Sequence, residues 1–310
     1  MRALALPLPG QHRPSFGRRQ ALLEKLAGLG LALPATILLV LTSLLPLVVL
    51  VAMTVTDYEL GNLAASYVGA ANFMKAIGDP VFRRSLWNTL LYVAIVLPGS
   101  VGLGLLVAVL VHGRKRTRSF YEIVYFLPVT STLIAMATVW TFLLHPKLGP
   151  INTFLRMIGA GEHAFLSDPK LALPTLAVIG MWQLIGFNMV LFLAGLSAIP
   201  RDLYEAAEID GCAGAIDRFL TITWPLLGPT TMFVIITTSI TAFKVFDTVA
   251  VMTRGGPAGA SEVLLYTIYL EAFQYFHTGY GAALTVVFLA FVLVFSAIQA
   301  VILDRRVHYG

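Results

Sequence analysis

Charge is what this sequence lacks most. Only 12% of its 310 residues are Asp, Glu, Lys or Arg, where a soluble domain carries about 25%. Such a chain cannot cover the surface of a water-soluble fold. Cysteine is nearly absent too: Cys212 stands alone, which excludes an intrachain disulfide and a cysteine metal cluster. His112, His145 and His277 are isolated at the ends of apolar runs and make no metal set. There is no G-x-x-x-x-G-K-S/T stretch to hold a nucleotide, and no paired acid and base of the kind an enzyme needs. Short internal repeats and low-complexity tracts are absent as well. The net charge of +5 does not point to nucleic acid. In so apolar a chain, the position of the positive charges carries the information.

What the sequence has in quantity is long apolar runs. A helix needs about 20 apolar residues to cross the bilayer core. Six runs qualify, at about 29–54, 87–112, 120–144, 172–198, 226–252 and 280–303. The fold class is all-α, a polytopic membrane protein with six transmembrane helices. The first run is too long for a cleaved signal, so residues 1–28 read as a basic tail, 29–303 as the membrane domain and 304–310 as a second tail. Shorter amphipathic pieces, "FMKAIGDPVFRRSLWNT", "INTFLRMIGAG" and "SEVLLYTIYLEAFQYFHTG", read as interfacial helices. With the N-terminus inside, thirteen Lys and Arg residues fall on the inner side and seven on the outer. The dense cluster "RKRTR" is among the inner ones. The positive-inside rule therefore places both termini in the cytoplasm.

One stretch breaks the apolar pattern, "PRDLYEAAEIDGCAGAIDRFLTITWP", residues 200–225. Pro200 stops the fourth run. Asp202 and Glu205 have the spacing of a capping box. Glu205, Glu208 and Ile209 share one side of the resulting helix, and Leu203, Ala206, Ala207 and Asp210 the other. Gly211 supplies the left-handed residue that ends it. A second short helix follows, from about Gly214 to Thr223. The predicted form is helix–Gly–helix on the cytoplasmic face, with a small Ala206–Ala207 surface open to close approach.

Glu205, Ala206, Ala207, Asp210, Gly211, Ile222 and Pro225 make this stretch resemble the EAA loop of permease subunits in ABC importers, in its carbohydrate-type version. Cys212 stands where a small Ala is usual, and Trp224 where an apolar residue commonly precedes the Pro. "YFLPVTSTLIAMATVWTFLLHP" and "FKVFDTVAVMTRGGPAGASEVLLYTIYLEAF" extend the likeness. The chain is similar to maltose-type and glycerol-3-phosphate-type permeases over all but its first 25 or so residues. The resemblance implies the type I ABC importer permease (MetI-like) fold in a bacterial inner membrane. It implies a transport subunit rather than an enzyme, with no cofactor of its own. ATP and Mg would be bound by two cytoplasmic ATPase subunits, into which the 200–225 loop docks, Glu205 pairing with a basic residue. Further implied partners are a second permease (a homologous, different chain), membrane lipid, and a periplasmic binding protein met at Arg254, Gly255, Gly256 and Pro257. No nucleic acid is implied.

Polar side chains in a span tend to face the protein interior or a water-filled path. Three runs carry them. Thr130 and Thr132 lie beside Pro128, Asn188 follows the pair Trp182–Gln183, and Thr238, Thr241 and Lys244 line the fifth run. In the resembling maltose-type permeases the site matches Val129, Trp182, Gln183, Phe187, Thr238, Ala242 and Val245. An aromatic face with amides and hydroxyls suits a carbohydrate or polyol, and Lys244 admits a phosphorylated or sulfonated one. Lys244 and Asp247, three residues apart, also have the spacing of an ion pair or gate. The competing class is a secondary transporter or facilitator working without ATP. Such proteins use mid-membrane carboxylates, and no run here has one at its centre.

Overall fold

The computed structural model describes residues 18–62, 64–114, 116–212 and 214–304. Residues 1–17, most of the basic tail, and 305–310 lie outside the described residues. The described chain falls into two units, divided after Ala52.

The first unit is one long apolar rod. Helix α1 (Arg18–Leu39) passes through a wider π turn at Val40–Leu44 into α2 (Leu45–Met53). Pro46 cannot bond back to the carbonyl of Thr42, and its ring crowds that carbonyl. The wider turn lies just ahead of it, and Thr42 Oγ1 donates to Leu38 O at 2.7 Å within the same stretch. No part of its apolar window is buried.

The second unit is a helical bundle. In chain order it holds α3 (Ala71–Gly78), α4 (Pro80–His112), α5 (Arg118–Thr130), α6 (Leu133–Leu143), α7 (Pro150–Met157), α8 (Ala172–Ala198), α9 (Arg201–Ile209), α10 (Ala215–Arg218), α11 (Trp224–Leu226), α12 (Gly228–Phe243), α13 (Leu264–Tyr269) and α14 (Thr278–Asp304). Asp79 starts the longest helix. Its carboxylate accepts from Val81 N at 2.8 Å, and Pro80 fills the first position, where a missing N–H costs nothing.

The bundle is built around the pair α4–α8. A Cβ on Gly104 would lie 2.7 Å from the Cβ of Asn188, so the two backbones touch there. Small residues serve this role where lipid offers no hydrophobic drive between helices. Gly180 meets Tyr92, and Gly104 meets Asn188. Residue numbers rise together along both helices, so they run parallel. Two apolar clusters fill the unit. One gathers Tyr92, Val96, Leu176, Phe243, Leu264 and Leu284; the other gathers Ala108, Met189, Phe192, Leu196, Ile222 and Leu227. Polar pairs also cross between helices, with Thr238 donating to Asn188 Oδ1 at 2.9 Å and Gln299 to Ser239 Oγ at 2.9 Å.

By length and composition, four described helices can cross a membrane, and six spans result if each of two bent pairs counts as one. The expected six runs are all present, but two are not straight. The run at 120–144 breaks at Ser131–Thr132, whose backbone is extended. Thr130 and Ser131 hydroxyls cover the Leu127 carbonyl there, at 2.9 and 3.3 Å. The run expected at 226–252 bends by 69° before α12, where Pro225 and Pro229 each remove a helical bond. It also ends early, at Phe243, and Val249–Thr253 forms a separate π turn. Nor is "FMKAIGDPVFRRSLWNT" one interfacial helix. Asp79 divides it, and the part from Pro80 belongs to α4.

Candidate functional site

Three regions carry the residues singled out in the sequence. The first is the 200–225 loop. It forms the expected pair of helices about Gly211, whose φ of +91° is the left-handed value that a Cβ disfavours. The expected capping box does not form. Pro200 is the N-cap and Asp202 already lies in the first turn, without a side-chain cap bond. Proline holds the extended backbone a cap needs, so the helix starts two residues early. Its acidic residue still favours the positive helix end.

The loop is fastened by a few contacts. Tyr204 Oη meets Thr223 Oγ1 at 2.9 Å, and Arg218 pairs with Glu208. Tyr204 and Ala207 pack against the second apolar cluster, which contains Ile222. Glu205, Ala206, Asp210, Gly211 and Pro225 are exposed. Ile209 is 87% exposed and Ile216 74%. Two large aliphatic side chains are thus left uncovered on a short, clamped turn.

The second region is a cavity of about 230 Å³ between α4, α8 and the end of α12. Gln183, Thr241, Ala242, Lys244 and Val245 line it together with Tyr92, Phe246 and Asp247. Lys244 and Asp247 share this wall, but the ion pair considered for them is not among the ion pairs of the described residues. Asn188 and Thr238 are placed elsewhere. They are fully buried against each other, and Asn188 Nδ2 has no partner among the described residues. Trp182 stands edge-on to Trp140 with centroids 5.4 Å apart. Phe187 is on the outer side of α8, 36% exposed. Val129, Thr130 and Thr132 flank the break between α5 and α6, and Thr130 is satisfied by its own helix.

The third region is the turn after the π segment. Arg254 adopts φ +51° and is exposed, while Gly255 is buried. Gly256 and Pro257 help to line a hollow of about 620 Å³ with His145, Lys147 and Ser167. Behind it lies a buried polar ladder. Asn88 Nδ2 donates to Gly259 O at 3.0 Å and Glu262 O at 2.9 Å. Arg84 pairs with Glu262 at 2.8 Å. Leu264 N donates to Thr89 Oγ1 at 2.9 Å. Burial pushes the Tyr266 phenol upward, and the nearby Arg254 charge works against that.

Residues 100–309 match the family described as "Binding-protein-dependent transport system inner membrane component". The chain belongs to that family. It is an integral inner-membrane permease of the ABC importer type, a transport component and not an enzyme. Among its relatives, the sn-glycerol-3-phosphate transport system permease protein UgpA of Agrobacterium fabrum is 34% identical over 252 residues, 80% of this chain and 85% of the relative. The sulfoquinovosyl glycerol transport system permease protein SmoG of the same organism is 32% identical over 294 residues, covering 94% and 95%. A permease chain in the crystal structure of a bacterial ABC transporter involved in the import of the acidic polysaccharide alginate superposes with a TM-score of 0.81. That match covers 93% of this chain and 98% of the other at 20% identity, which establishes the MetI-like fold.

Several residues of this permease escaped the sequence reading. Tyr92 had no signal as a cavity residue, because a lone Tyr in a span looks like packing. Asn88 and Glu262 were legible in principle. An amide and a carboxylate inside apolar surroundings must be satisfied, but their partners are more than 170 residues apart in the chain.

Proposed function

We propose that this permease forms half of a transmembrane path for a carbohydrate or polyol, and that the 200–225 loop couples it to cytoplasmic ATPase subunits. A periplasmic binding protein delivers the substrate near Arg254–Pro257, and a second, homologous permease completes the path. Both termini lie in the cytoplasm. Residues 1–28 and 304–310 are tails on a membrane domain spanning 29–303. ATP and Mg act in the ATPase subunits, and alternating access moves the substrate.

The observation that carries this reading is the exposed face of α9. Glu205, Ala206 and Ile209 project from a turn whose base is locked to the bundle through Tyr204–Thr223. Force applied to that face passes directly to the ends of α8 and α11. Glu205 is the charge for a basic ATPase residue, setting orientation and register more than affinity.

An anionic substrate suits the cavity. Lys244 faces it and has no ion-pair partner among the described residues. Lys244 can pair with a phosphate or sulfonate, while Asp247 on the same wall can accept from a substrate hydroxyl. Two relatives are named for the transport of glycerol derivatives that carry such groups. Gln183 and Thr241 supply the amide and hydroxyl that a polyol needs.

The test is uptake by the reconstituted complex carrying Glu205→Lys. Normal insertion with loss of ATPase association and of uptake is expected. Uptake at the unmodified rate would remove the coupling role, and uptake by vesicles that lack any ATPase subunit would favour a facilitator.

A further inference from the structure

Against α9 lies a further concavity, of about 610 Å³. Its charged lining is all basic: Arg118 at the start of α5, Arg201 in the first turn of α9, and Arg218 on α10, with the His112 imidazole at the end of α4 beside them. Two of these arginines already hold a carboxylate, Arg118 that of Glu122 at 2.7 Å and Arg218 that of Glu208, so a bound phosphate shares them. Arg201 has no ion-pair partner among the described residues. Tyr204 and Thr223 add hydroxyls to the wall.

This pocket continues into an apolar groove. A hollow of about 460 Å³ runs along α5 and α8 and shares Arg118 and Ser197 with it. Ile123, Phe126, Val190, Leu193 and Ala194 form its walls together with Glu122, whose carboxylate is paired with Arg118. Ile123 is 68% exposed and Val190 38%, so the groove opens sideways from two spans, toward the acyl chains. A basic pocket alone would accept any small anion. A basic pocket joined to a lipid-facing apolar groove is shaped for a molecule with both parts. Basic pockets between helices on the cytoplasmic side are known to hold anionic head groups.

We propose that an anionic phospholipid of the cytoplasmic leaflet occupies this site. Its phosphate lies among Arg118, Arg201 and Arg218, and one acyl chain lies along the α5–α8 groove. The head group then touches α9 at its first residue, so the lipid sits directly behind the coupling face. The leaflet assignment rests on the orientation proposed above. The binding itself does not, and it is read by mass rather than by uptake, so its failure is distinguishable from failure of the coupling role.

The experiment uses the assembled transporter in mild detergent, with native mass spectrometry of retained lipid. Phosphatidylglycerol, phosphatidylcholine and inorganic phosphate are the added probes. Phosphatidylglycerol should be retained in preference to phosphatidylcholine. Arg201→Gln and Arg118→Gln should each lower retention roughly five-fold, as expected for one basic contact, and Arg201→Lys should keep it. Ala194→Trp fills the groove and should lower retention with the charge unchanged. Equal retention of the two lipids, or retention unchanged in both arginine variants, would overturn the proposal. So would displacement by inorganic phosphate with no effect of Ala194→Trp, which marks a soluble-anion site. Retention that appears only after the ATPase subunits are stripped away would overturn it too, because protein then fills the pocket.

Discussion

The two ends of this bundle are finished in opposite ways. The turn at Gly255–Glu262 is bound into the fold by a buried ladder: Asn88 to two carbonyls, Thr89 to Leu264 N, Glu262 to Arg84 and Thr267. The turn at Gly211 is held by one hydroxyl pair and one half-exposed ion pair, with Ile209 and Ile216 in solvent. The first end satisfies its polar groups within this chain. The second is left uncovered, as the proposed docking of another polypeptide there requires. On the proposed orientation the first end faces the periplasm, where a preformed surface lowers the ordering cost of each delivery.

That contrast can be broken at either end. The largest effect is expected from Ala206→Trp. The indole keeps a partner backbone away from α9, so uptake and ATPase association should fall by more than about ten-fold, as at an interface hot spot. The thermal midpoint of the isolated chain should stay unchanged. Asn88→Ala should do the reverse. Glu262 O loses its Asn88 donor, while Gly259 O keeps the bond from Glu262 N; the loss costs about 1 kcal/mol, seen as a lower thermal midpoint with ATPase association intact. Gly211→Ala forces a Cβ into a left-handed turn at about 1 kcal/mol. It should weaken association modestly in a pull-down with the ATPase subunit. Arg218→Ala is the smallest, at less than about 1 kcal/mol for a half-exposed ion pair. Little change in thermal stability should follow.

The sequence revealed the fold where one signal dominated. The four continuous spans follow from apolar length alone, and Gly211 follows from turn chemistry. It misled where two signals competed. Pro200 and the Asp202–Glu205 spacing both propose a helix start, and proline won because it already holds the extended backbone. The 226–252 run looked continuous because hydropathy is blind to Pro225 and Pro229, and to the halt at Phe243. At the cavity, Gln183, Thr241 and Lys244 could be read from polarity in a span. Asn188 has the same polarity but turns toward Thr238, and no periodicity separates a lining amide from one that joins two helices. The Asn88–Glu262 ladder stayed hidden because its partners meet only after the chain has folded back across the bundle.

The central claim is that the exposed face of α9 is covered by the ATPase. It is tested most directly by a cysteine placed at Ile209 in a chain carrying Cys212→Ser. A short bifunctional thiol reagent is applied to the assembled transporter with and without ATP. The account predicts a cross-link to the ATPase subunit whose yield changes with ATP, and protection of that cysteine from a water-soluble thiol reagent. Labelling as fast in the complex as in the isolated chain, with no cross-link, would contradict it.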